Sequence, residues 1–114
     1  PDAIVVQAAD AARDGDRDAF LACFTARSQA MLQALWSATR ETRPELSRLT
    51  AQDVSTGSIR GLPPSDKGHP RALVNVREAD RFVPVVVHRR AGAWRIDLPD
   101  SEREAALTGF DSPF

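Results

Sequence analysis

The sequence has little of what several classes of protein depend on. Cys23 is the only cysteine, so no internal disulfide can form, which fits a reducing compartment but does not exclude an exported protein that uses no disulfides. No apolar run approaches the roughly 20 residues that a membrane-spanning helix needs. The formal net charge is only −1, so no global field attracts nucleic acid or anionic lipid. We therefore expect no membrane-spanning segment and no nucleic-acid partner.

What remains is the composition of an ordinary folded domain. A chain of 114 residues can bury a core without a disulfide or a metal. Its 42% hydrophobic and 27% charged content is typical of a globular protein rather than a disordered one. We expect a single domain over residues 1–114. Because the chain begins at Pro1 rather than at Met, we expect a mature or trimmed form, with exported (periplasmic) and cytoplasmic locations both open.

Helical spacing of apolar residues dominates the first part of the chain. It predicts a helix that Asp2 caps and Gly15 ends. Asp16 then stands where it can cap a second, short helix, and Thr25 or Ser28 is expected to begin a third. The third helix carries a compact apolar stripe made of Met31, Leu32, Leu35 and Trp36.

From residue 54 onward the pattern changes to that of β-strands. A weak strand is predicted over residues 54–60, with Gly57 marking a bulge or a close backbone approach. Residues 61–70 are rich in proline and glycine, which predicts a surface loop. A half-buried strand follows over residues 71–78, where apolar and polar side chains alternate.

Residues 82–98 form the most apolar stretch and predict a β-hairpin whose turn contains Gly92 with positive φ. The first strand has apolar side chains on both faces, so we expect both faces to be covered. Pro84 cannot donate a backbone hydrogen bond and predicts a bulge or an edge position. In the return strand, Trp94 is expected to face the core and Asp97 to face away from it.

The C-terminal run SERE over residues 101–104 matches a capping box, which predicts a short helix ended by Gly109. Helices followed by an antiparallel meander are typical of an α+β fold with segregated layers. We therefore expect N-terminal helices packed on a curved, cone-shaped antiparallel β-sheet, with a short C-terminal helix.

This order of elements resembles the cone-shaped superfamily that contains nuclear transport factor 2, scytalone dehydratase and ketosteroid isomerase. The resemblance rests on the N-terminal helix, on Gly15 with Asp16, on the FLACFT run over residues 20–25, and on the AWRID strand over residues 93–97. Superfamily enzymes place a polar acid/base set inside the cone, and isomerase-type members use a tyrosine as oxyanion donor. This chain contains no tyrosine. The resemblance therefore implies the fold, and a homodimer formed through the sheet, without implying an enzyme.

His88 is the best single candidate for a functional side chain, because it ends a buried strand with Asp97 expected across the hairpin. Such a pair could act as a general base, but one structural hydrogen bond is the interpretation we favour. His69 in the loop has no predicted partner. Two histidines and one cysteine stand at no ligand spacing, so we expect no metal and no cofactor. Cys23 is expected to be a small core residue.

Arginines cluster near the predicted hairpin turn at Arg89, Arg90 and Arg95. A nucleic-acid surface would need aromatic side chains interleaved with them for stacking. The nearby aromatic residues are expected in the core, so these arginines favour a solvated sheet face that pairs with acidic residues across strands.

Two functions stay open, and whether the chain is an enzyme stays open with them. We favour a non-catalytic accessory or interaction domain that forms a homodimer or contacts a partner protein through the sheet. The alternative is a small-molecule-binding or weakly enzymatic cone with a pocket between helices and sheet. The residues expected to line that pocket are Phe24, Met31, Trp36, His88 and Trp94.

Overall fold

The computed structural model describes residues 2–39, 55–78 and 81–108, which form an α+β fold as predicted. The elements in chain order are α1 (Ala3–Asp14), α2 (Arg17–Leu21), α3 (Ala26–Thr39), β1 (Ser55–Leu62), β2 (Arg71–Glu78), β3 (Arg81–Arg90), β4 (Ala93–Asp97) and α4 (Leu98–Thr108). The four strands make one antiparallel sheet in the order β1-β2-β3-β4. Among the helices described, none is both long and apolar enough to cross a membrane.

Local signals set the boundaries of α1 and α2. Gly15 adopts a left-handed conformation with φ of 71°, and its N–H donates to the Ala12 carbonyl at 3.1 Å, so α1 ends where predicted. Asp16 caps α2 as predicted, because its Oδ1 accepts from the Ala19 N–H at 3.1 Å. Asp2 stands at the N-cap position of α1 but has helical backbone angles, and its side chain makes no capping hydrogen bond.

Between α2 and α3 the chain runs alongside β4. Phe24 forms a parallel bridge to Ile96. The Thr25 N–H donates to the Ile96 carbonyl at 2.9 Å, and the Ile96 N–H donates to the Cys23 carbonyl at 2.8 Å. These bonds fix the start of α3 beside the end of β4, and α3 begins directly after Thr25 as predicted.

The helical layer packs on one face of the sheet around three aromatic rings. The ring centroid of Phe20 lies 4.9 Å from that of Phe24 and 6.0 Å from that of Trp36. The Arg17 guanidinium lies over the Trp36 ring, 4.5 Å from its centroid. The sheet residues of this core are Ala72, Val74, Val76, Val83, Val85, Val87 and Ile96. Each large side chain buried here contributes about 1.5–3 kcal/mol to folding.

The apolar stripe predicted for α3 divides between core and surface. Leu32 and Trp36 are buried, whereas Met31 is 36% exposed and Leu35 is 40% exposed. Only one side of the stripe therefore packs on the described part of the core.

The predicted bulge in β1 is confirmed by the pairing of β1 with β2. The register shifts between Thr56 and Ile59, on either side of Gly57. The strand continues through Gly61 to Leu62, which were expected in the loop, because both residues pair with the start of β2. The loop proper is therefore residues 63–70.

Strand β3 is covered on both faces, as its doubly apolar sequence predicts. Val85 lies in the core beneath the helices, while α4 packs on the opposite face, where Val86 is 0% exposed. Pro84 pairs with Asn75 in regular register, so the bulge predicted there is wrong. Among the described residues the alternative, an edge position, is confirmed, because β4 pairs with β3 only from Val86 onward.

The β3–β4 turn follows the prediction. Ala91 and Gly92 have φ of 51° and 78°, and two positive φ angles are what a type I′ hairpin turn requires.

Helix α4 begins at Leu98, directly after β4, so the predicted capping-box start at residue 101 is wrong. Asp97 takes the N-cap role instead, because its Oδ2 accepts from the Asp100 N–H at 3.0 Å. Ser101 therefore lies inside the helix. Gly109, predicted to end this helix, lies outside the described residues.

Candidate functional site

Asp97 is a fully buried carboxylate at the junction of β4 and α4. The sequence predicted that it faces away from the core, yet it is 0% exposed. It pairs with Val86 of β3, on the side of the sheet that α4 covers. The side chain does point away from the layer formed by α1, α2 and α3, but it enters a second buried region, beneath α4, rather than solvent.

Four hydrogen bonds hold this carboxylate. Thr25 Oγ1 and Arg27 Nε each donate to Oδ1 at 2.8 Å, while Arg27 Nη2 and the Asp100 N–H donate to Oδ2 at 2.6 and 3.0 Å. Burial alone would raise the pKa of Asp97. The bonds from Arg27, Asp100 and Thr25 together outweigh burial and hold the pKa below its usual range.

Asp100 is a second carboxylate, one helical turn further along α4. Its Oδ2 lies 2.6 Å from His88 Nε2 and 3.1 Å from Arg71 Nη1. Its Oδ1 lies 3.5 Å from both Arg27 and Arg103. Burial would raise the pKa of Asp100, but the bonds from His88 and Arg71 lower it below the usual value. At neutral pH the group is a carboxylate, so His88 Nε2 carries the proton and donates.

The carboxylate beside His88 is therefore not the one that the sequence suggested. Across the hairpin, His88 pairs with Arg95, and its Nε2 lies 3.9 Å from Asp97 Oδ2. The shorter contact joins His88 Nε2 to Asp100, which the predicted helix start at residue 101 would have placed before the helix. The early start of α4 brings Asp100 over β3.

Two buried hydroxyls complete the arrangement. Ser28 Oγ accepts from the Leu98 N–H at 2.8 Å. Ser101 Oγ donates to the Asp97 carbonyl at 2.6 Å and accepts from the Val86 N–H at 2.8 Å. Together these bonds tie the start of α4 to α3 and to β3.

A cleft of about 400 Å³ adjoins Asp100 and His88. Its walls come from the start of α3, the loop after β1, the start of β2, the end of β3 and the first turns of α4. The lining residues are Ala26, Arg27, Pro64, Ser65, Asp66, Lys67, Arg71, His88, Arg90, Asp100 and Arg103. The cleft is thus mostly polar and strongly basic.

Internal hydrogen bonds hold the loop that forms one wall. The Ser65 N–H donates to the His69 carbonyl at 2.9 Å, and Ser65 Oγ accepts from the His69 N–H at 3.1 Å. Gly68, with φ of 79°, donates its N–H to the Ser65 carbonyl at 2.8 Å. Arg71 Nε donates to the Pro63 carbonyl at 2.7 Å. The loop therefore places Lys67 on the cleft wall.

The charges of the cleft do not balance. Five cationic side chains line it against two carboxylates, those of Asp66 and Asp100. Including Asp97 behind the wall leaves two positive charges when His88 is counted as neutral. Arg90 Nε, a buried donor of a lining residue, has no hydrogen-bond partner in the part of the chain that the structure describes. Such an arrangement favours an anionic ligand.

A metal fits this arrangement poorly. His88, Asp97 and Asp100 offer three ligand atoms within 4.8 Å of one another. However, the carboxylates already accept hydrogen bonds from Arg27 and Arg71. Guanidinium groups at these distances would repel a divalent cation, so we assign the cluster to an ion-pair network.

Of the five residues predicted to bind a ligand, only His88 lines the cleft. Phe24 and Trp36 are 1% and 2% exposed within the core, Trp94 packs partly buried against it, and Met31 is 36% exposed. The cleft lies beside α4 rather than between the helical layer and the sheet. Ligand binding by the other four residues stays a prediction.

Sequence reasoning missed most of the cleft. Arg90 was noticed, but as part of a solvated sheet face. Arg27, Arg71 and Arg103 lie on three different elements and form no motif along the chain. The available signal was the excess of arginine around an apolar hairpin, which did not indicate where the side chains converge.

Cys23 lies in the core as predicted, at 0% exposed. Its thiol donates to the Ala19 carbonyl at 3.4 Å. Burial raises the pKa of this thiol against the opposing effect of Arg95, so Cys23 is a poor nucleophile.

Comparisons of the chain with protein-family models, with curated proteins and with solved structures found no match. The resemblance to the nuclear transport factor 2-like superfamily therefore stays a prediction, and function is argued from the geometry alone.

Proposed function

We propose that this chain is a non-catalytic binding domain whose cleft takes a small anionic ligand. The observation that carries the proposal is the excess of cationic side chains around one cleft of about 400 Å³. Arginine and lysine in a partly desolvated cleft form charge-assisted hydrogen bonds with carboxylates and phosphates, which are stronger than neutral hydrogen bonds.

Two of the arginines, Arg27 and Arg71, are held in place before any ligand arrives. Asp100, which is 6% exposed in its side chain, lies between Arg71 and Arg103, whose side chains are 17% and 65% exposed. Arg27 is 50% exposed and is fixed by its paired bonds to Asp97. Guanidinium groups positioned in this way lose less conformational entropy on binding.

The state of His88 supports binding rather than catalysis. A general base must reach the proton that it removes, directly or through one water. The residue is 2% exposed, its Nε2 is bonded to Asp100, and its Nδ1 is buried. Nε2 is therefore engaged by Asp100, and Nδ1 is not exposed to solvent.

Isothermal titration calorimetry with inorganic phosphate at low ionic strength tests the proposal. We expect one saturable site in the wild type and about ten-fold weaker binding in Arg90→Gln, because one charge-assisted hydrogen bond is lost. Arg89→Gln is the matched control, since Arg89 is exposed and is not among the residues that line the cleft. Absence of binding in the wild type, or equal losses in both variants, would contradict the proposal.

A homodimer or a partner protein on the sheet is a further proposal, which the superfamily resemblance supports. The second apolar face of β3 is not available to a partner, because α4 packs there. Residues 57–61 of β1 are exposed, so this edge is where a partner could contact the sheet. Light scattering at micromolar concentration should give twice the 12.4 kDa chain mass; the mass of one chain would refute the homodimer.

Membership of the nuclear transport factor 2-like superfamily is likewise a proposal. The order of helices before an antiparallel meander supports it. The assignment predicts that the sheet curls into a cone, and a crystal structure with a flat sheet would argue against it.

A further inference from the structure

We infer that the ligand of the cleft is a small aliphatic phosphate monoester in its dianionic form, held by Arg71, Arg90 and Arg103. The inference rests on the proposed binding function and adds the charge and the chemical class of the ligand.

The charge of the cleft sets the charge of the ligand. With Asp97 included and His88 counted as neutral, the cationic side chains exceed the carboxylates by two. A phosphate monoester carries about two negative charges at neutral pH, because its second pKa is about 6. A monocarboxylate or a sulfate ester would leave one positive charge uncompensated in a partly desolvated site.

The bonds of the arginines show which donors stay available. Arg71 uses Nε on the Pro63 carbonyl and Nη1 on Asp100, which leaves its second terminal nitrogen for a ligand. Arg103 approaches Asp100 with Nη1 at 3.5 Å, so most of its donors stay free of that contact. Three acceptor oxygens of a phosphoryl group suit several convergent forks better than one planar carboxylate does.

The environment of Arg90 supports an anionic ligand independently of the charge count. Its Nε is buried and has no hydrogen-bond partner among the described residues. An unsatisfied buried donor on a cationic side chain destabilises the ligand-free protein. An anion that drew the Arg90 guanidinium toward the cleft would satisfy this donor.

The other lining residues indicate what the organic part of the ligand, its body, can be. The described lining residues include no Phe and no Trp, and Ala26 and Pro64 are the apolar members. No phenyl or indole ring is there to stack on a nucleobase, and two small apolar side chains cannot bury a long acyl chain. The volume of about 400 Å³ exceeds what a phosphoryl group alone fills, so a short polar aliphatic body fits.

A calorimetric series tests the class with four probes of different charge and shape. Glycerol 3-phosphate is the expected type, methyl sulfate is a tetrahedral monoanion, citrate is a carboxylate polyanion, and adenosine monophosphate adds a base. We expect glycerol 3-phosphate to bind about ten-fold more tightly than methyl sulfate, since one more charge-assisted bond forms. It should also bind more tightly than citrate, and no more weakly than adenosine monophosphate.

The outcomes separate this inference from the proposed function. If methyl sulfate or citrate binds as tightly as glycerol 3-phosphate, the phosphate monoester is wrong but the anion site stands. If adenosine monophosphate binds much more tightly, the aliphatic body is wrong. If none of the four binds, the proposed function fails as well.

Variants assign the site to the named arginines. Arg90→Gln and Arg103→Gln should each weaken glycerol 3-phosphate binding several-fold, while Arg89→Gln should leave it unchanged. Because Arg103 is 65% exposed, its variant should stay folded even if the Arg90 variant does not. Unchanged binding in folded Arg103→Gln would overturn the role given to that residue.

Discussion

At the scale of single residues, Asp97 joins two tasks in one side chain. It caps α4 through the Asp100 N–H, and it accepts hydrogen bonds from Thr25 and Arg27 within a buried site. A carboxylate without such partners would be too costly to bury. The sequence could not indicate this, because Asp97 alternates with apolar residues just as a solvated strand residue does.

Replacing Asp97 separates the two tasks. In Asp97→Asn the amide oxygen can still cap the helix, but the amide nitrogen cannot accept the bonds that Oδ1 takes from Thr25 and Arg27, and we expect about 2 kcal/mol of destabilisation. Asp97→Ala should cost about 1 kcal/mol more, because the cap is also lost. Urea unfolding monitored by circular dichroism measures both. Equal stability of Asp97→Asn and wild type would show that the buried bonds contribute nothing.

The lowered pKa values of Asp97 and Asp100 predict the acid response of the fold. In the unfolded chain the pKa of an aspartate is about 3.9. At pH values between this pKa and the lower pKa of the folded state, the unfolded chain therefore binds more protons than the folded protein does. Stability from these groups is therefore complete above the unfolded pKa and is lost as pH falls through the folded values. Melting temperatures from pH 7 to pH 2 should fall more steeply for wild type than for Asp97→Asn. Parallel curves would contradict the assignment.

At the scale of elements, α4 depends on a few buried polar bonds in addition to its apolar contacts. Ser101, which is 0% exposed, bridges the Asp97 carbonyl and the Val86 N–H. The helix thereby supplies a partner to a backbone amide of β3. These bonds therefore fix the orientation in which α4 packs on the second face of β3.

Ser101→Ala should destabilise the protein by about 1–3 kcal/mol, because the buried Val86 N–H then lacks its acceptor. Leu107→Ala is the control on the same helix, since Leu107 is 74% exposed and its change should lie within about 0.5 kcal/mol. Chemical denaturation gives both values. A Ser101 variant no less stable than the Leu107 variant would show that α4 does not depend on this bond.

The elements also show which features can be predicted from sequence. Gly15 and Asp16 mark the α1–α2 junction because left-handed glycine and side-chain capping act over three or four residues. The N-cap of α4 was predicted four residues late, at Ser101 rather than at Asp97, because Ser101 matches a capping pattern while its hydroxyl bonds to β3. A tertiary contact there outweighs the local signal.

At the scale of the whole molecule, the cleft exists only because several elements meet. The N-terminal end of α3, the loop over residues 63–70, the facing ends of β2 and β3, and α4 each contribute charged side chains. The α+β class follows from periodicity, which is a local property. The cleft depends on strand register and on where α4 lies, and neither is encoded in spacing along the chain.

The central claim is that a small anion binds in the basic cleft, and chemical-shift mapping tests it most directly. Inorganic phosphate should be titrated into ¹⁵N-labelled protein at low ionic strength, with chloride as the control anion. The account predicts saturable shifts at Lys67, Arg71, Arg90 and Arg103, which lie close together only in the fold, and no comparable change at Arg89. Shifts spread over all exposed arginines without saturation, or equal shifts with chloride, would contradict it.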